Sequence, residues 1–139
     1  MKQKNSLKII QDYFRNRSRI AAIYLFGSMA KKDGGGWKKI PDIDIAILLA
    51  KRIPQAKYQT LKFSFEQDLA KLLPKEKIDC VILNRTDPDF CHEVLRYRKI
   101  LVENRPEERV AFETKQELEY FDFQPTQDFF TQKVLGIRI

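Results

Sequence analysis

Three aspartates in two short apolar segments are the residues whose types and spacing could support catalysis. Asp42 and Asp44 open the segment Asp-Ile-Asp-Ile-Ala-Ile-Leu-Leu, and Asp79 lies inside Lys-Ile-Asp-Cys-Val-Ile-Leu. Side chains alternate along a β-strand, so Asp42 and Asp44 would share one face and the isoleucines the other. Asp79 would likewise point away from the apolar residues on either side of it. If the two strands are neighbours, the three carboxylates converge on one side of a sheet.

Such a convergence needs a physical reason, because close carboxylates repel one another and partial burial raises the cost of ionising them. A divalent cation removes that cost, and all-oxygen ligands suit Mg²⁺ or Mn²⁺. Taken singly, Asp42 could be the solvated start of a strand and Asp79 a charge at a strand edge. Asp44 is harder to explain structurally, since its strand is otherwise apolar. The three together predict a magnesium site.

Gly27 and Ser28 follow the apolar segment Ile-Ala-Ala-Ile-Tyr-Leu-Phe and could contribute a phosphate site. Glycine permits close approach of the backbone to a ligand, and Ser28 would leave free amide groups at the start of a helix. Oriented N–H donors and the helix dipole attract phosphate. An ordinary helix cap is the alternative explanation of this dipeptide.

Apolar periodicity predicts the elements that must position these residues. Continuous apolar segments predict strands over residues 20–26, 42–49, 77–83 and 100–103. Helical spacing predicts helices over residues 5–17, 54–73, from 87 onward and 106–133. We expect Leu72 in the apolar stripe of the second helix and a break near Pro125 in the last one. The order of elements predicts an α/β or α+β domain with a small mixed sheet flanked by helices.

Length and charge set wider bounds. The chain has 139 residues, which fits one domain over residues 1–139, with a core over about 5–103 and a C-terminal helical region over about 106–133. Its net charge of +7 favours anionic partners such as nucleotides, nucleic acid or an acidic protein surface, without choosing among them. Charge is the only feature that favours direct nucleic-acid binding. The absence of a long apolar segment predicts a cytoplasmic protein with no membrane partner.

Cys91 and His92 are adjacent, but they do not form a metal-binding motif. Neighbours on a helix point about 100° apart, and no Cys-x-x-Cys or His-x-x-x-His spacing accompanies them. Cys80 lies in an apolar segment and is expected in the core. We therefore expect neither zinc nor a disulfide.

Taken together, Gly27-Ser28, Asp42-Ile43-Asp44 and Asp79 resemble the signature of the polymerase-β-like nucleotidyltransferases. The segment Ile-Asp-Cys-Val-Ile-Leu-Asn at residues 78–84 is similar to the third strand of the minimal nucleotidyltransferases, or MNT proteins. The order of residues in the tail is also similar to that group, so the resemblance spans nearly the whole chain. It implies the polymerase-β-like nucleotidyltransferase fold with a C-terminal helical extension.

MNT proteins are commonly the antitoxins of HEPN/MNT toxin–antitoxin pairs, so the resemblance implies a function. This chain would transfer AMP from ATP to a tyrosine of a HEPN ribonuclease toxin and neutralise it. Asp42, Asp44 and Asp79 would be catalytic residues and ligands of two magnesium ions. Gly27, Ser28 and Lys31 would bind the nucleotide.

Some residues depart from the family pattern, and other functions remain open. Lys31 stands where the family often has Arg, Pro41 stands where Ser is usual, and the loop containing Gly34-Gly35-Gly36-Trp37 is longer than in many members. Lysine keeps the charge but loses the planar fork of arginine, which bears on nucleotide affinity rather than on the reaction. One alternative is a small-molecule nucleotidyltransferase of the aminoglycoside-modifying type. Another is an antitoxin that neutralises its partner by binding alone.

Overall fold

The computed structural model describes residues 2–27 and 42–134, with side chains described for residues 5–27 and 42–121. Within those ranges the α-helices are α1 (Lys2–Phe14), α2 (Tyr58–Leu72), α3 (Pro88–Arg96) and α4 (Pro106–Val134). The strands are β1 (Ile20–Phe26), β2 (Ile43–Leu49), β3 (Ile78–Ile82) and β4 (Lys99–Glu103). Every predicted strand is thus confirmed to within one residue at each end.

The four strands form one mixed sheet in the order β3-β2-β1-β4. β1 pairs antiparallel with β2 on one side and with β4 on the other. β2 and β3 are parallel, and α2 supplies the crossover that a parallel pair requires. The strands that carry Asp44 and Asp79 are therefore neighbours, which was the condition for their side chains to converge.

Helices cover both faces of the sheet. On the first face, α1 and α2 bury a core that includes Phe14, Leu69 and the isoleucines of β2. On the second face, Tyr24, Ala46 and Leu48 pack with residues of α3 and α4. Asp44 alternates with the isoleucines of β2, so it belongs to the second face. The expected small mixed sheet flanked by helices is confirmed.

Several details of the helices differ from the sequence predictions. The first helix was expected over residues 5–17, but α1 runs from Lys2 to Phe14. The helix predicted from Pro54 begins at Tyr58, after a short 3-10 turn at Gln55–Lys57. Leu72 was expected in the apolar stripe of this helix, but it is 49% exposed and Leu73 is buried instead. The row that faces the sheet advances by four residues from Leu61 through Phe65 and Leu69, and Leu73 is its next position.

The expected break near Pro125 is wrong, because the backbone of α4 is helical from Pro106 to Val134. Proline removes one backbone N–H donor from a helix, and here the loss does not end the helix. None of the helices in the described part of the chain is long and apolar enough to cross a membrane.

Candidate active site

Asp44 and Asp79 lie side by side at one end of the sheet. Their Cα atoms are direct partners in the parallel register of β2 and β3. On the other side of β2, Asp44 pairs with Phe26 at the end of β1. The end of β1 and the starts of two parallel strands therefore meet at these two carboxylates.

The Asp44 carboxyl group is in an environment that disfavours its ionised form. Burial makes the largest contribution to the rise in its pKa, and the negative charges of Asp79 and Asp42 raise the pKa further. A hydrogen bond between the Asp44 and Asp79 side chains acts in the same direction, whereas Lys77 opposes the rise. A proton or a cation is needed to relieve this repulsion, and the oxygen donors suit a hard divalent cation.

Asp42 precedes β2 and is less closely held than Asp44. Its side chain is 48% exposed, and Oδ2 lies 3.7 Å from Nζ of Lys77. Such an exposed ion pair is weak. As placed, no three His, Cys, Asp or Glu side chains of the described ranges come close enough together to hold a metal ion. The structure thus brings Asp44 and Asp79 together and leaves Asp42 beside them, paired with Lys77.

Gly27 leaves room for the carboxyl group of Asp44. Its φ of 73° lies in the left-handed region, which glycine enters without steric cost. A Cβ built on this residue would lie 2.5 Å from Oδ2 of Asp44, which is closer than any real contact. The sequence predicted close approach of a ligand at Gly27, whereas the structure shows close approach of a carboxylate. Its role in nucleotide binding stays a prediction.

The other nucleotide-binding predictions fall on residues 28–41, which lie outside the described part of the chain. They include Ser28 and Lys31. The glycine loop with Trp37 and the residue Pro41 also fall there.

An aromatic pair borders the carboxylates on the second face. The ring of Phe26 meets that of Phe90 edge to face, with 6.0 Å between their centroids. Because Phe26 is the antiparallel partner of Asp44, this pair joins α3 to the acidic end of the sheet. No local sequence pattern connects Phe90 with the site, since the two phenylalanines are far apart in sequence.

A charged cluster, which sequence analysis did not identify, holds α4 against the sheet. Glu113 accepts hydrogen bonds from the Tyr24 hydroxyl at 2.7 Å, from Arg98 at 2.9 Å and from Arg109 at 2.7 Å. Arg109 also pairs with Glu103 of β4. Burial and the bond to Glu113 raise the pKa of Tyr24 far above its ordinary value, so it stays a neutral donor.

Cys91 and His92 have separate structural roles. The Cys91 thiol is buried, with 2.6 Å between its Sγ and Oγ1 of Thr86. The His92 ring stacks on Tyr120 with 3.8 Å between centroids.

Cys80 lies in the core as expected, and burial raises the pKa of its thiol to about 12. Each of the two cysteines is a free thiol.

A cleft of about 470 Å³ opens at the opposite end of β2, away from the carboxylates. Its lining includes Leu48, Tyr58 and Phe112. Leu48 is four residues beyond Asp44 on an extended strand, which separates them by about 13 Å. This cleft therefore does not belong to the acidic site.

Comparison with known proteins connects this geometry to a family. A family model described as polymerase beta, nucleotidyltransferase matches residues 8–107. A search of curated proteins finds no match. Among solved structures, the chain is similar to a complex of tri-AMPylated Shewanella oneidensis HEPN toxin with MNT antitoxin. The identity is 27% over 97% of this chain and 99% of the matched chain, with a TM-score of 0.64.

Two further solved structures are similar over most of their length. A toxin–antitoxin structure with AMP-PNP is 27% identical, covers 94% of this chain and 98% of that one, and gives a TM-score of 0.67. A MntA–HpeT toxin–antitoxin mutant, in which two aspartates two positions apart are replaced by glutamate, is 25% identical. It covers 94% of this chain and 98% of that one, and its TM-score is 0.67.

Proposed function

This chain belongs to the polymerase beta nucleotidyltransferase family, and from that premise we propose that it is an MNT antitoxin that transfers AMP from ATP to a tyrosine of a cognate HEPN toxin. The observation that carries the proposal is the pairing of Asp44 with Asp79 on adjacent parallel strands. We place this activity in the cytoplasm, where ATP is available.

The solved relatives support the choice of donor, acceptor and partner. One contains a HEPN toxin that carries AMP groups, and another contains an ATP analogue. The spacing of the two aspartates replaced in the third equals that of Asp42 and Asp44. Coverage of nearly all of this chain and of each matched chain extends the likeness beyond the catalytic segment.

The donor set fits magnesium, since Asp44 and Asp79 offer carboxylate oxygens on adjacent strands, and burial and the neighbouring negative charges raise the pKa of Asp44. Asp42, Asp44 and Asp79 would hold two magnesium ions, of which one would lower the pKa of an attacking hydroxyl and the other would neutralise a leaving pyrophosphate. The tyrosine oxygen would form a bond to the α-phosphorus as the bond to pyrophosphate breaks. Asp79 would accept the hydroxyl proton. Gly27, Ser28 and Lys31 would hold the β- and γ-phosphates.

The direct test is label transfer from α-labelled ATP with magnesium and the cognate HEPN protein. We expect label on the HEPN protein with the wild type and none with the double variant Asp42→Ala/Asp44→Ala. Asp12→Ala is a matched control, because the ion pair of Asp12 with Arg15 on α1 is exposed. It should transfer label like the wild type.

The same assay separates the alternative functions. Binding of the HEPN protein without transfer from any of the four nucleoside triphosphates would replace the proposal by a binding antitoxin. Label on an aminoglycoside, with none on the HEPN protein, would instead indicate a small-molecule nucleotidyltransferase.

A further inference from the structure

Helices α3 and α4 leave a cleft of about 220 Å³ between them, which we call the α3–α4 cleft. Its lining includes the stacked rings of His92 and Tyr120, the polar residues Arg98 and Gln116, and Phe121. Both helices cover the second face of the sheet, to which Asp44 also belongs. The cleft is therefore on the same side of the molecule as the candidate active site.

Two buried polar atoms of the residues that line this cleft lack a partner in the described part of the chain. One is Nε of Arg98 and the other is Oε1 of Gln116. The other guanidinium nitrogens of Arg98 are engaged, donating to the Leu95 carbonyl and to Glu113. A buried N–H or C=O group without a partner is costly. An occupant that offers one carbonyl and one N–H group would satisfy both atoms.

An apolar rim accompanies the α3–α4 cleft. It consists of Phe121, which lines the cleft and is 63% exposed, and of Leu118 and Tyr97, which are 60% and 40% exposed and are sequence neighbours of lining residues. Aromatic residues are enriched at protein–protein interfaces. The polar lining and the apolar rim together suit a protein surface better than a small ion.

Helix α4 extends beyond the segment that the nucleotidyltransferase family shares. The family match ends at residue 107, and α4 runs from Pro106 to Val134. The solved toxin–antitoxin relatives nevertheless cover 94–97% of this chain, which includes most of α4. This helix thus accompanies the catalytic fold in chains that were solved with a protein partner.

The α3–α4 cleft is also within reach of the carboxylates. Phe90 near the start of α3 contacts Phe26, the strand partner of Asp44. Arg96, which lines the cleft, is six residues further along the helix, or about 9 Å at 1.5 Å per residue. A protein seated on the cleft could therefore present a side chain to the acidic end of the sheet.

From these observations we propose that the α3–α4 cleft and its apolar rim are the docking surface for the acceptor protein. This inference rests on the proposed function, and its occupant is the helical HEPN partner. The partner would cover Leu118 and Phe121 with apolar side chains. One of its amide groups would accept from Nε of Arg98 and donate to Oε1 of Gln116.

Phe121→Glu tests the rim, and Phe63→Glu is its matched control. Both phenylalanines are 63% exposed, but Phe63 lies on α2, over the opposite face of the sheet. We expect Phe121→Glu to raise the Kd for the HEPN protein and the KM for label transfer at least tenfold, with kcat nearly unchanged. Phe63→Glu should behave like the wild type. Equal effects of the two variants, or no effect of Phe121→Glu, would overturn the docking surface.

Gln116→Met tests the polar lining by a different readout. The substitution keeps the size of the side chain and removes an acceptor that has no described partner. We expect the free protein to keep or raise its Tm, while the affinity for the HEPN protein falls several-fold. A lower Tm with unchanged affinity would show that Gln116 serves the fold alone and would contradict the proposal.

Failure of the docking surface and failure of the proposed function give different results. If the wild type transfers label and Phe121→Glu does so with the same KM, the surface is wrong and the function stands. If the wild type binds the HEPN protein without labelling it, the function fails, and the Kd values of the two phenylalanine variants still decide the surface. If it neither binds nor labels, both are overturned.

Discussion

At the scale of single residues, the acidic end of the sheet depends on contacts that other side chains would not tolerate. Gly27 leaves room for the Asp44 carboxylate, and Asp44 and Asp79 share a hydrogen bond although both are acids. Such an arrangement costs folding stability when no cation is bound. It is therefore better explained by chemistry than by the needs of the fold.

The first prediction concerns Asp44→Asn. The neutral amide removes repulsion with Asp79 and Asp42, so we expect the Tm of metal-free protein to rise by a few degrees at neutral pH. Under the proposed function Asp44 is a ligand of the magnesium, so label transfer should fall at least about 100-fold. Calorimetry in EDTA and the transfer assay measure the two effects.

The pH dependence of this effect has a definite sign. The raised pKa of Asp44 means that folding favours its protonated form, so the penalty is present above the folded-state pKa and disappears as pH falls below the unfolded value. The Tm advantage of Asp44→Asn should therefore shrink in acid. A variant that is less stable than wild type at pH 7 in EDTA would contradict this account.

The second prediction concerns Gly27→Ala. The added Cβ meets Oδ2 of Asp44 and also places alanine at positive φ, so we expect a loss of about 1–2 kcal/mol of stability and at least about 100-fold of transfer. Asn16→Ala is the control, since Asn16 has a φ of 63° in the turn after α1. It should lose similar stability and keep its activity. Equal activity of the two variants would argue against a role of Gly27 at the site.

At the scale of elements, Glu113 connects α4 to β1 and, through Arg98 and Arg109, to the β4 region. Its side chain is 12% exposed, and it is the common acceptor for Tyr24 and both arginines. On the outer side of this first part of α4, Val110 is 50% exposed and adds little apolar packing. The charged cluster is therefore a principal attachment of the helix.

The third prediction compares Glu113→Gln with Glu66→Gln. Removing the shared carboxylate leaves Arg98 without its ion pair and leaves Arg109 with Glu103 as its remaining counter-charge, and we expect a loss of about 2–4 kcal/mol in urea unfolding. Glu66 forms a more exposed pair with Lys62 at the same four-residue spacing, so its variant should stay within about 0.5 kcal/mol of wild type. Similar values for the two variants would show that α4 is held mainly by its apolar contacts.

Local sequence patterns were sufficient for the strands but not for contacts between distant residues. The alternation of Asp42 and Asp44 with isoleucines predicted which face they share, and the apolar segments gave the strand bounds. No local pattern could pair Tyr24 with Glu113, because they are 89 residues apart. For the same reason, no local pattern could predict the contact of Phe26 with Phe90. The sequence pattern singled out Gly27, but its contact with Asp44 follows only from the register of β1 and β2.

At the scale of the whole molecule, we propose that residues 1–139 form one nucleotidyltransferase domain, with α4 as an integral extension. The sheet shares its two faces between four helices, and α4 is tied to both β1 and β4. The second face of the sheet is covered by α3 and α4 together, and neither helix covers it alone. The parts should therefore unfold together.

The fourth prediction is a single cooperative transition on heating, with equal calorimetric and van't Hoff enthalpies. Far-UV circular dichroism, which is dominated by the helices, should give the same midpoint as calorimetry. A chain ending at residue 105 should fail to give this transition, because it lacks the cover of Tyr24 and Leu48. Two separated transitions in the full chain would show that α4 is an independent unit.

The strand order has a consequence for synthesis on the ribosome. Of the four strands in the described part of the chain, β1 is made first, and β4, its neighbour on one edge, is made last. Translation of residues 27–98 at roughly 5–20 residues per second takes several seconds, during which that edge of a seven-residue apolar strand is uncovered. Exposed apolar edges pair with other chains. Nascent copies on one polysome therefore face a risk of aggregation that finished copies do not, and slower translation lengthens it.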